Sequence, residues 1–251
     1  MILINDDVHR RREHMIKYHV KITDIIDEAY DTKTYLLEKP DNLTWVEGAH
    51  THIGLLGFDE GEKPNKALVR HMSINTLPED NKIGFTTRMI RPLSEFKEKL
   101  SNLHIGDEII LFKIGSRMYL RRENRPIVLV SMGVGLATMR PLIHSYIKDN
   151  TDIPKIININ VDSSKDYIYK TELDSLVNSY YQNNWVATRN DFYETLNQTS
   201  EDSNAIYYVV GSDDFIIDVI KFLRNKMVHD DSIIIDKKDE LLENYFASQL
   251  K

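Results

Sequence analysis

The pattern of hydrophobic and polar positions divides the chain into two halves. In the first half, short β-branched and aromatic runs alternate with turn signals, and the pattern predicts strands at residues 20–26, 34–38, 50–56, 67–75, 83–90 and 108–113. Closely spaced strands of this kind indicate an antiparallel barrel or sandwich. One helix is predicted among them, capped by Ser94 and ending at residues 104–107, with Phe96, Leu100 and Leu103 at helical spacing.

After residue 124 the pattern changes to strands that alternate with helices. Short apolar strands are predicted at residues 127–131, 156–161, 185–188, 207–210 and 233–236, and amphipathic helices at 139–148, 171–178, 213–226 and 239–250. This alternation indicates a parallel sheet covered by helices. We therefore expect a β plus α/β protein. An antiparallel β-barrel domain occupies residues 1–124, of which 1–16 form an N-terminal extension, and a doubly wound parallel-sheet domain occupies residues 125–251.

Composition excludes several classes of protein. Hydrophobic residues make up 41% of the chain and charged residues 28%, which is typical of a folded globular protein. The net charge of -7 argues against nucleic-acid binding, and we interpret residues 10–12, three arginines, as a solvated face. Without cysteine the chain carries no disulfide, thiolate nucleophile or iron–sulfur cluster. No segment approaches the roughly 20 apolar residues that cross a bilayer, so we expect a cytoplasmic protein without membrane insertion.

A glycine turn carries the strongest local signal for chemistry. The predicted strand 127–131 is followed by Gly133, Val134 and Gly135 and then by a helix. Glycines at the end of a buried parallel strand let a phosphate approach the backbone N–H groups at the start of the helix. A Gly-x-Gly turn also suits methyltransferases that bind a nucleoside cofactor, and in some proteins it only packs a helix closely on a sheet.

Four further motifs accompany this turn in a fixed order. They are Trp45 to His50, the run Arg70-His71-Met72-Ser73, the pair Leu93-Ser94, and Tyr208 to Ser212. Together with residues 133–140 they resemble the motifs of the ferredoxin–NADP(+) reductase-like flavoprotein superfamily, over residues 17–236. The resemblance implies an FAD-binding barrel, an NAD(P)-binding domain, and an oxidoreductase that transfers hydride from NAD(P)H to FAD and then electrons to an external acceptor.

The resemblance also implies roles for individual residues. Arg70 would bind the flavin phosphate, Ser73 would be the catalytic hydroxyl that donates to flavin N5, and the turn at Leu93 and Ser94 would hold a pyrophosphate, which favours FAD over FMN. Tyr245 or Phe246 of the terminal helix would cover the flavin, unless that helix only docks on the domain. The other residues expected to contact flavin or nucleotide are His71, Met72, Thr87, Gly133, Val134, Gly135, Thr138 and Gly211.

The type of nucleotide is predicted from two strand ends. Ser163 and Ser164 follow one predicted strand, and Thr188 and Arg189 close the next. A hydroxyl and a guanidinium suit a dianionic 2′-phosphate, so we expect NADPH to be preferred, with NADH as the alternative. Asp162 argues for NADH, because an acid at this edge usually accepts a hydrogen bond from a free ribose hydroxyl.

Several departures from the family pattern keep other functions open. Met72 stands where the family has an aromatic residue, and Val210 replaces its cysteine. A nucleoside-cofactor methyltransferase and a regulatory module that binds nucleotide without turnover therefore remain alternatives. His50, His52 and His71 lack carboxylates or cysteines at ligand spacing, so we expect no metal site.

The electron acceptor is predicted only as a class. It would be a ferredoxin or flavodoxin, a ferric chelate or free flavin. Five arginines in the near-neutral first half would steer an acidic carrier to the flavin. They are Arg88, Arg91, Arg117, Arg121 and Arg122.

Overall fold

The first domain is an antiparallel half-barrel. The computed structural model describes residues 16–200 and 204–247. Its first six strands are β1 (Lys17–Ala29), β2 (Thr32–Glu38), β3 (Ala49–Leu55), β4 (Val69–Ser73), β5 (Lys82–Arg88) and β6 (Glu108–Ser116). They form one sheet in the order β4-β3-β6-β1-β2-β5, with every pairing antiparallel. Each predicted strand of this half is therefore confirmed.

Helix α1 (Glu95–Ser101) closes one end of this barrel. Phe96 and Leu100 are completely buried among the barrel strands. The predicted cap is confirmed, because the Ser94 hydroxyl accepts the backbone N–H of Lys97 at 3.4 Å. The predicted end was wrong. The helix stops at Ser101, and residues 104–107 form a separate turn in which Gly106 has a φ of +96°.

The second domain contains a parallel sheet with helices on both faces. Its strands are β7 (Ile127–Met132), β8 (Ile156–Val161), β9 (Tyr181–Val186), β10 (Ile206–Val210) and β11 (Ile233–Ile235). Their order is β11-β10-β7-β8-β9 and all pairings are parallel, which confirms the doubly wound class. Alternate residues of β7 face opposite cores, because strand side chains alternate between faces.

Five helices cover this sheet. They are α2 (Leu136–Lys148), α3 (Lys170–Ser175), α4 (Arg189–Thr199), α5 (Asp213–Asn225) and α6 (Asp239–Phe246). Buried residues of α2 and α3 lie in the core on one face, and those of α4 and α5 in the core on the other. Helix α4 was missed in the sequence, because its few apolar side chains do not form a long stripe.

The chain passes from one sheet to the other between Ser116 and Ile127. The domain boundary expected at residue 124 lies in this connecting segment. The N-terminal extension up to residue 15, including the three arginines, lies outside the described residues, as do residues 248–250 of the predicted terminal helix. Across the described part of the chain, no helix combines the length and the apolarity needed to cross a membrane.

Candidate functional site

A cavity of about 750 Å³ lies between the two domains. The carboxyl ends of the parallel strands line one side of it, and β4 and β5 of the barrel line the other. Open α/β sheets bind their ligands outside the carboxyl ends of the strands. This cavity is therefore the candidate functional site.

The cavity gathers many of the predicted site residues but not all of them. Those that line it are His71, Met72, Ser73, Gly133, Val134, Gly135, Thr138, Ser163, Arg189 and Gly211. Those outside its lining are Arg70, Thr87, Leu93, Ser94, Ser164, Thr188, Tyr245 and Phe246.

Backbone conformation at Gly133 and close packing at Gly135 account for the two glycines of the turn. Gly133 has a φ of +53°, and a Cβ atom on it would lie 3.4 Å from the Arg88 guanidinium and from the Asp162 carboxylate. A Cβ atom on Gly135 would lie 2.9 Å from the carbonyl oxygen of Val210. The turn thus leaves the start of α2 uncovered, and exposed N–H groups at a helix start attract phosphate.

Ser73 lies at the meeting point of the two domains. Its hydroxyl oxygen is 2.8 Å from the hydroxyl oxygen of Thr138 on α2. The Asp236 carboxyl, which directly follows β11, lies close enough to Ser73 for the two side chains to interact. Burial raises the pKa of the Asp236 carboxyl above its usual value, although Arg117, Lys237 and Ser73 oppose this effect. The carboxyl group can therefore hold a proton at a higher pH than an exposed aspartate.

Asp236 was missed in the sequence. A signal for it existed, because an acidic residue directly after a predicted parallel strand faces the ligand edge of the sheet. The same rule was applied to Asp162 only. The structure places both residues in the lining of the cavity.

An ion pair crosses the cavity from one domain to the other. Arg88 Nη2 lies 2.5 Å from Asp162 Oδ2. The other carboxylate oxygen of Asp162 accepts the Ser164 hydroxyl at 2.7 Å. Burial works against ionisation, but the hydrogen bonds from Arg88 and Ser164 hold the pKa of the Asp162 carboxyl below its usual value. The pair is therefore charged at neutral pH.

Three cationic side chains converge beside α1. The Arg70 guanidinium lies 5.4 Å from the centre of the Phe96 ring, and its Nη1 donates to the Val69 carbonyl at 2.7 Å. Burial, Arg70 and Arg88 lower the pKa of the Lys97 ammonium, which shows that the three cations are close enough to repel one another. A bound phosphate would relieve this repulsion.

The other residues predicted for the flavin lie nearby without reaching the cavity. Ser94 uses its hydroxyl to cap α1. The side chain of Leu93 packs against the barrel core, so that only its backbone remains for a ligand. Thr87 alternates to the opposite face of β5 from Thr86 and Arg88, which line the cavity.

The three histidines of β3 and β4 form a histidine cluster in which the rings are tilted or edge-on to one another. The ring centres of His50 and His71 are 4.4 Å apart, and those of His52 and His71 are 5.3 Å apart. Burial and the neighbouring His71 are the largest causes that lower the pKa of both His50 and His52 to about 4. Both are neutral at pH 7. Among residues 16–200 and 204–247, no group of three or more potential ligands is placed to hold a metal ion.

The residues predicted for the 2′-phosphate lie just after the ends of β8 and β9. Arg189 Nη2 is 2.8 Å from Asp218 Oδ2, and its guanidinium lies 5.5 Å from the Tyr193 ring centre. Thr188 is the N-cap of α4, where its hydroxyl accepts the N–H of Asp191. Of the four residues predicted near the 2′-phosphate, Ser163 and Arg189 line the cavity, whereas Ser164 and Thr188 do not.

The C-terminal aromatics lie away from the cavity. The Tyr245 hydroxyl donates to Asp213 at 2.8 Å, and the Arg224 guanidinium lies 5.7 Å from the Phe246 ring centre. Both contacts hold α6 against α5. The structure thus favours the docking-helix alternative over a cover for the flavin.

Most of the arginines predicted to steer an acidic acceptor have protein partners. Arg88 pairs with Asp162, Arg121 with Glu123, and Arg122 with Asp149. Arg91 is exposed, and Arg117 lies near the histidine cluster. The basic surface expected from the sequence is therefore reduced.

Comparison with solved structures identifies the fold. No protein-family model and no curated protein matches this sequence. The cytochrome P450 reductase GcoB of Amycolatopsis is similar over 89% of this chain and 70% of its own, with a TM-score of 0.74 and 13% identity. The CS-b5R domains of human Ncb5or, solved in the NAD+ form, give a TM-score of 0.72 and 17% identity over 91% of this chain and 71% of theirs.

A third structure matches along nearly its whole length. The ferredoxin NADP+ reductase of Neisseria gonorrhoeae, with bound FAD and NADP, gives a TM-score of 0.73 and 13% identity over 88% of this chain and 98% of its own. The chain therefore has the two-domain fold of the ferredoxin–NADP(+) reductase-like flavoproteins, as the sequence resemblance implied.

Proposed function

We propose that this protein is an NAD(P)H-dependent flavoprotein reductase that binds FAD and passes electrons to an external acceptor. One observation carries the proposal. Ser73 of the barrel and the glycine turn of the second domain line the same cavity. A flavin held by β4 and a dinucleotide held at the turn would therefore meet inside it.

The donor set near the barrel fits a flavin diphosphate. Arg70 uses Nη1 for backbone carbonyls, and its other guanidinium nitrogens have no hydrogen-bond partner among the described residues. Lys97 adds positive charge beside it. Hydrogen bonds between a guanidinium and a phosphate are among the strong ones in proteins. Arg70 and Lys97 would hold the phosphates, and Met72 would pack beside the flavin ring.

The second domain fits a nicotinamide dinucleotide. The positive φ of Gly133 favours glycine at that position, and the close approach of Gly135 to Val210 leaves no space for a Cβ atom there. Gly211 is similarly constrained, because a Cβ atom on it would lie 2.5 Å from the Phe215 ring. These three glycines would hold the diphosphate and let the nicotinamide pass toward Ser73.

Bound FAD supplies the chemistry of accepting a hydride and passing electrons on. The protein orients the flavin and the nucleotide. The Ser73 hydroxyl would donate to the flavin edge while its contact with Thr138 holds it in place. The Asp236 carboxyl, whose pKa is raised by burial, would lie beside Ser73.

The fold favours a reductase over a nucleoside-cofactor methyltransferase. An antiparallel barrel precedes the parallel sheet, and Ser73 of that barrel faces the nucleotide edge. A nucleoside-cofactor methyltransferase has no use for this second wall. The acceptor is an electron-carrier protein, a ferric chelate or free flavin, and the paired state of Arg121 and Arg122 favours an acceptor that these two residues do not steer.

Release and identification of the cofactor test this proposal. Purified protein should be yellow, and the released cofactor should be FAD. Arg70→Ala should weaken FAD binding by about 1.5–3 kcal/mol, the range for hydrogen bonds to charged groups. Arg91→Ala, which removes an exposed arginine of the same domain, is the matched control. A colourless protein that cannot be reconstituted with FAD or FMN would refute the proposal.

A further inference from the structure

The ion pair between Arg88 and Asp162 has a position that suggests a role in nucleotide binding. Arg88 ends β5 of the barrel, and Asp162 directly follows β8 of the second domain. The Asp162 side chain is 6% exposed and that of Arg88 27%. The pair therefore spans the cavity, with its carboxylate largely removed from solvent.

The pair lies directly beside the glycine turn. A Cβ atom on Gly133 would be 3.4 Å from Nη1 and Nη2 of Arg88 and equally far from Oδ2 of Asp162. A diphosphate held by the N–H groups of this turn would meet both side chains. The guanidinium attracts it, and the carboxylate repels it.

Arg88 has a further N–H group with which to bind a new partner, and Asp162 has hydrogen-bond donors besides Arg88. The Nε atom of Arg88 is buried and has no hydrogen-bond partner among the described residues. Asp162 accepts the backbone N–H of Ser164 at 3.0 Å and its hydroxyl at 2.7 Å. These two bonds keep Asp162 in place after Arg88 has left it.

We propose that Asp162 competes with the diphosphate of the dinucleotide for binding to Arg88. It occupies Arg88 in the free protein, and the diphosphate of the incoming nucleotide displaces it and takes Arg88 as its own ligand. The inference rests on the proposed function. It assigns Arg88 as a diphosphate-binding residue and Asp162 as the residue that limits nucleotide affinity and eases release of the oxidised product.

This assignment differs from the usual role of an acid at the end of the second strand. Such an acid accepts a hydrogen bond from the ribose 2′-hydroxyl, so its loss weakens NAD+ binding and spares NADP+. Competition at the diphosphate has the opposite effect. Its loss strengthens binding of both nucleotides, because the diphosphate is common to them.

Calorimetric titration of the purified, oxidised holoprotein with NADP+ and NAD+ separates the two roles. Asp162→Asn keeps acceptors for Ser164 but removes the charge, and we expect it to lower both dissociation constants about tenfold. Arg88→Gln should raise both about tenfold. In the double variant the gain from Asp162→Asn should vanish, because the two residues act through each other.

Each outcome has a defined meaning. Weaker NAD+ binding by Asp162→Asn with NADP+ unchanged overturns the inference in favour of the ribose role, and additive effects in the double variant overturn the coupling. Loss of flavin from Arg88→Gln with unchanged nucleotide binding assigns Arg88 to the flavin instead. If Asp162→Asn does not fold, Asp162→Ser carries the same test. A wild-type protein that binds neither nucleotide refutes the reductase proposal itself, whereas wild-type binding that Asp162→Asn leaves unchanged refutes only the inference.

Discussion

The hydroxyl oxygen of Ser73 lies 2.8 Å from that of Thr138, which joins β4 of the barrel to the first turn of α2 in the second domain. A hydroxyl group has one hydrogen to donate and two lone pairs to accept with. The contact with Thr138 uses one of these positions, and the Asp236 carboxyl lies close by.

Replacement of Ser73 by alanine should slow reduction of the flavin by NADPH. Loss of a hydrogen bond to a group that gains charge costs about 1.5–3 kcal/mol, or roughly 10- to 150-fold in rate. Stopped-flow absorbance measures the rate, and FAD content should stay at the wild-type level. Ser116→Ala is the control, because Ser116 lies on β6 and donates to the Glu47 carbonyl. A wild-type rate for Ser73→Ala would remove the hydroxyl from the mechanism.

Arg189 should determine the preference for NADPH. Its guanidinium is 72% exposed and is held over the Tyr193 ring at the mouth of the cavity. Arg189→Ala should lower kcat/KM for NADPH about tenfold or more, the loss typical of a charge-assisted contact, and should change the NADH value far less. Asp218→Asn, which frees Arg189 without removing it, should keep the preference. Equal losses with both nucleotides would mean that Arg189 supports the fold or binds the diphosphate.

Tyr169 should stabilise the contact between the domains. Its hydroxyl is inserted among three polar residues of the barrel, Thr34, Asn75 and Thr86, and accepts the Asn75 amide at 2.8 Å. Tyr169→Phe should lower the free energy of unfolding by roughly 1–3 kcal/mol, because buried polar groups lose a partner. Urea denaturation measures this change. The control is Tyr30→Phe, since Tyr30 is 80% exposed. Equal stability of the two variants would contradict the inferred contact.

The histidine cluster should make the free energy of unfolding depend on pH. The folded-state pKa of His50 and His52 is lowered from 6.5 to about 4. Between these values the unfolded chain binds protons that the folded protein does not, so stability rises with pH across this window. Denaturation midpoints should therefore fall as the pH is lowered from 6.5 toward 4.

Variants of the histidine cluster test this dependence. His50→Gln and His52→Gln should each flatten the dependence of the midpoint on pH, because each removes one of the three neighbouring histidines whose pKa is lowered. His104→Gln, which replaces an exposed histidine outside the cluster, should leave the pH dependence unchanged. If the midpoint changes with pH in both cluster variants as it does in the wild type, other groups cause the loss of stability.

Local hydrophobic patterns in the sequence were sufficient for the architecture, whereas Ser73 was assigned from the family resemblance. Ser73 ends β4 and the turn at Gly133 and Gly135 follows β7, so that their places in the fold depend on residues nearby in the chain. Strand β9 was displaced by several residues from its predicted place, because the polar run 182–184 hides its periodicity although Tyr181 is completely buried.

Contacts between distant segments could not be predicted. Arg88 and Asp162 are 74 positions apart, and their pairing depends on how the two domains face each other. Tyr245 packs on α5 because Asp213 offers a hydrogen-bond acceptor there, which no periodicity in the terminal helix reveals. Asp236 directly follows β11 and interacts with Ser73 of β4, although the two residues belong to different sheets and are far apart in the chain.

The visible spectrum of the purified protein during anaerobic addition of NADPH tests the central proposal most directly. Oxidised flavin absorbs in the visible region and bleaches when it accepts a hydride. We expect a flavin spectrum that is lost on addition of NADPH and restored by air, with NADH acting more slowly. A flavin spectrum that neither nucleotide changes would contradict the assignment of the cavity between Ser73 and Gly133 as a site of hydride transfer.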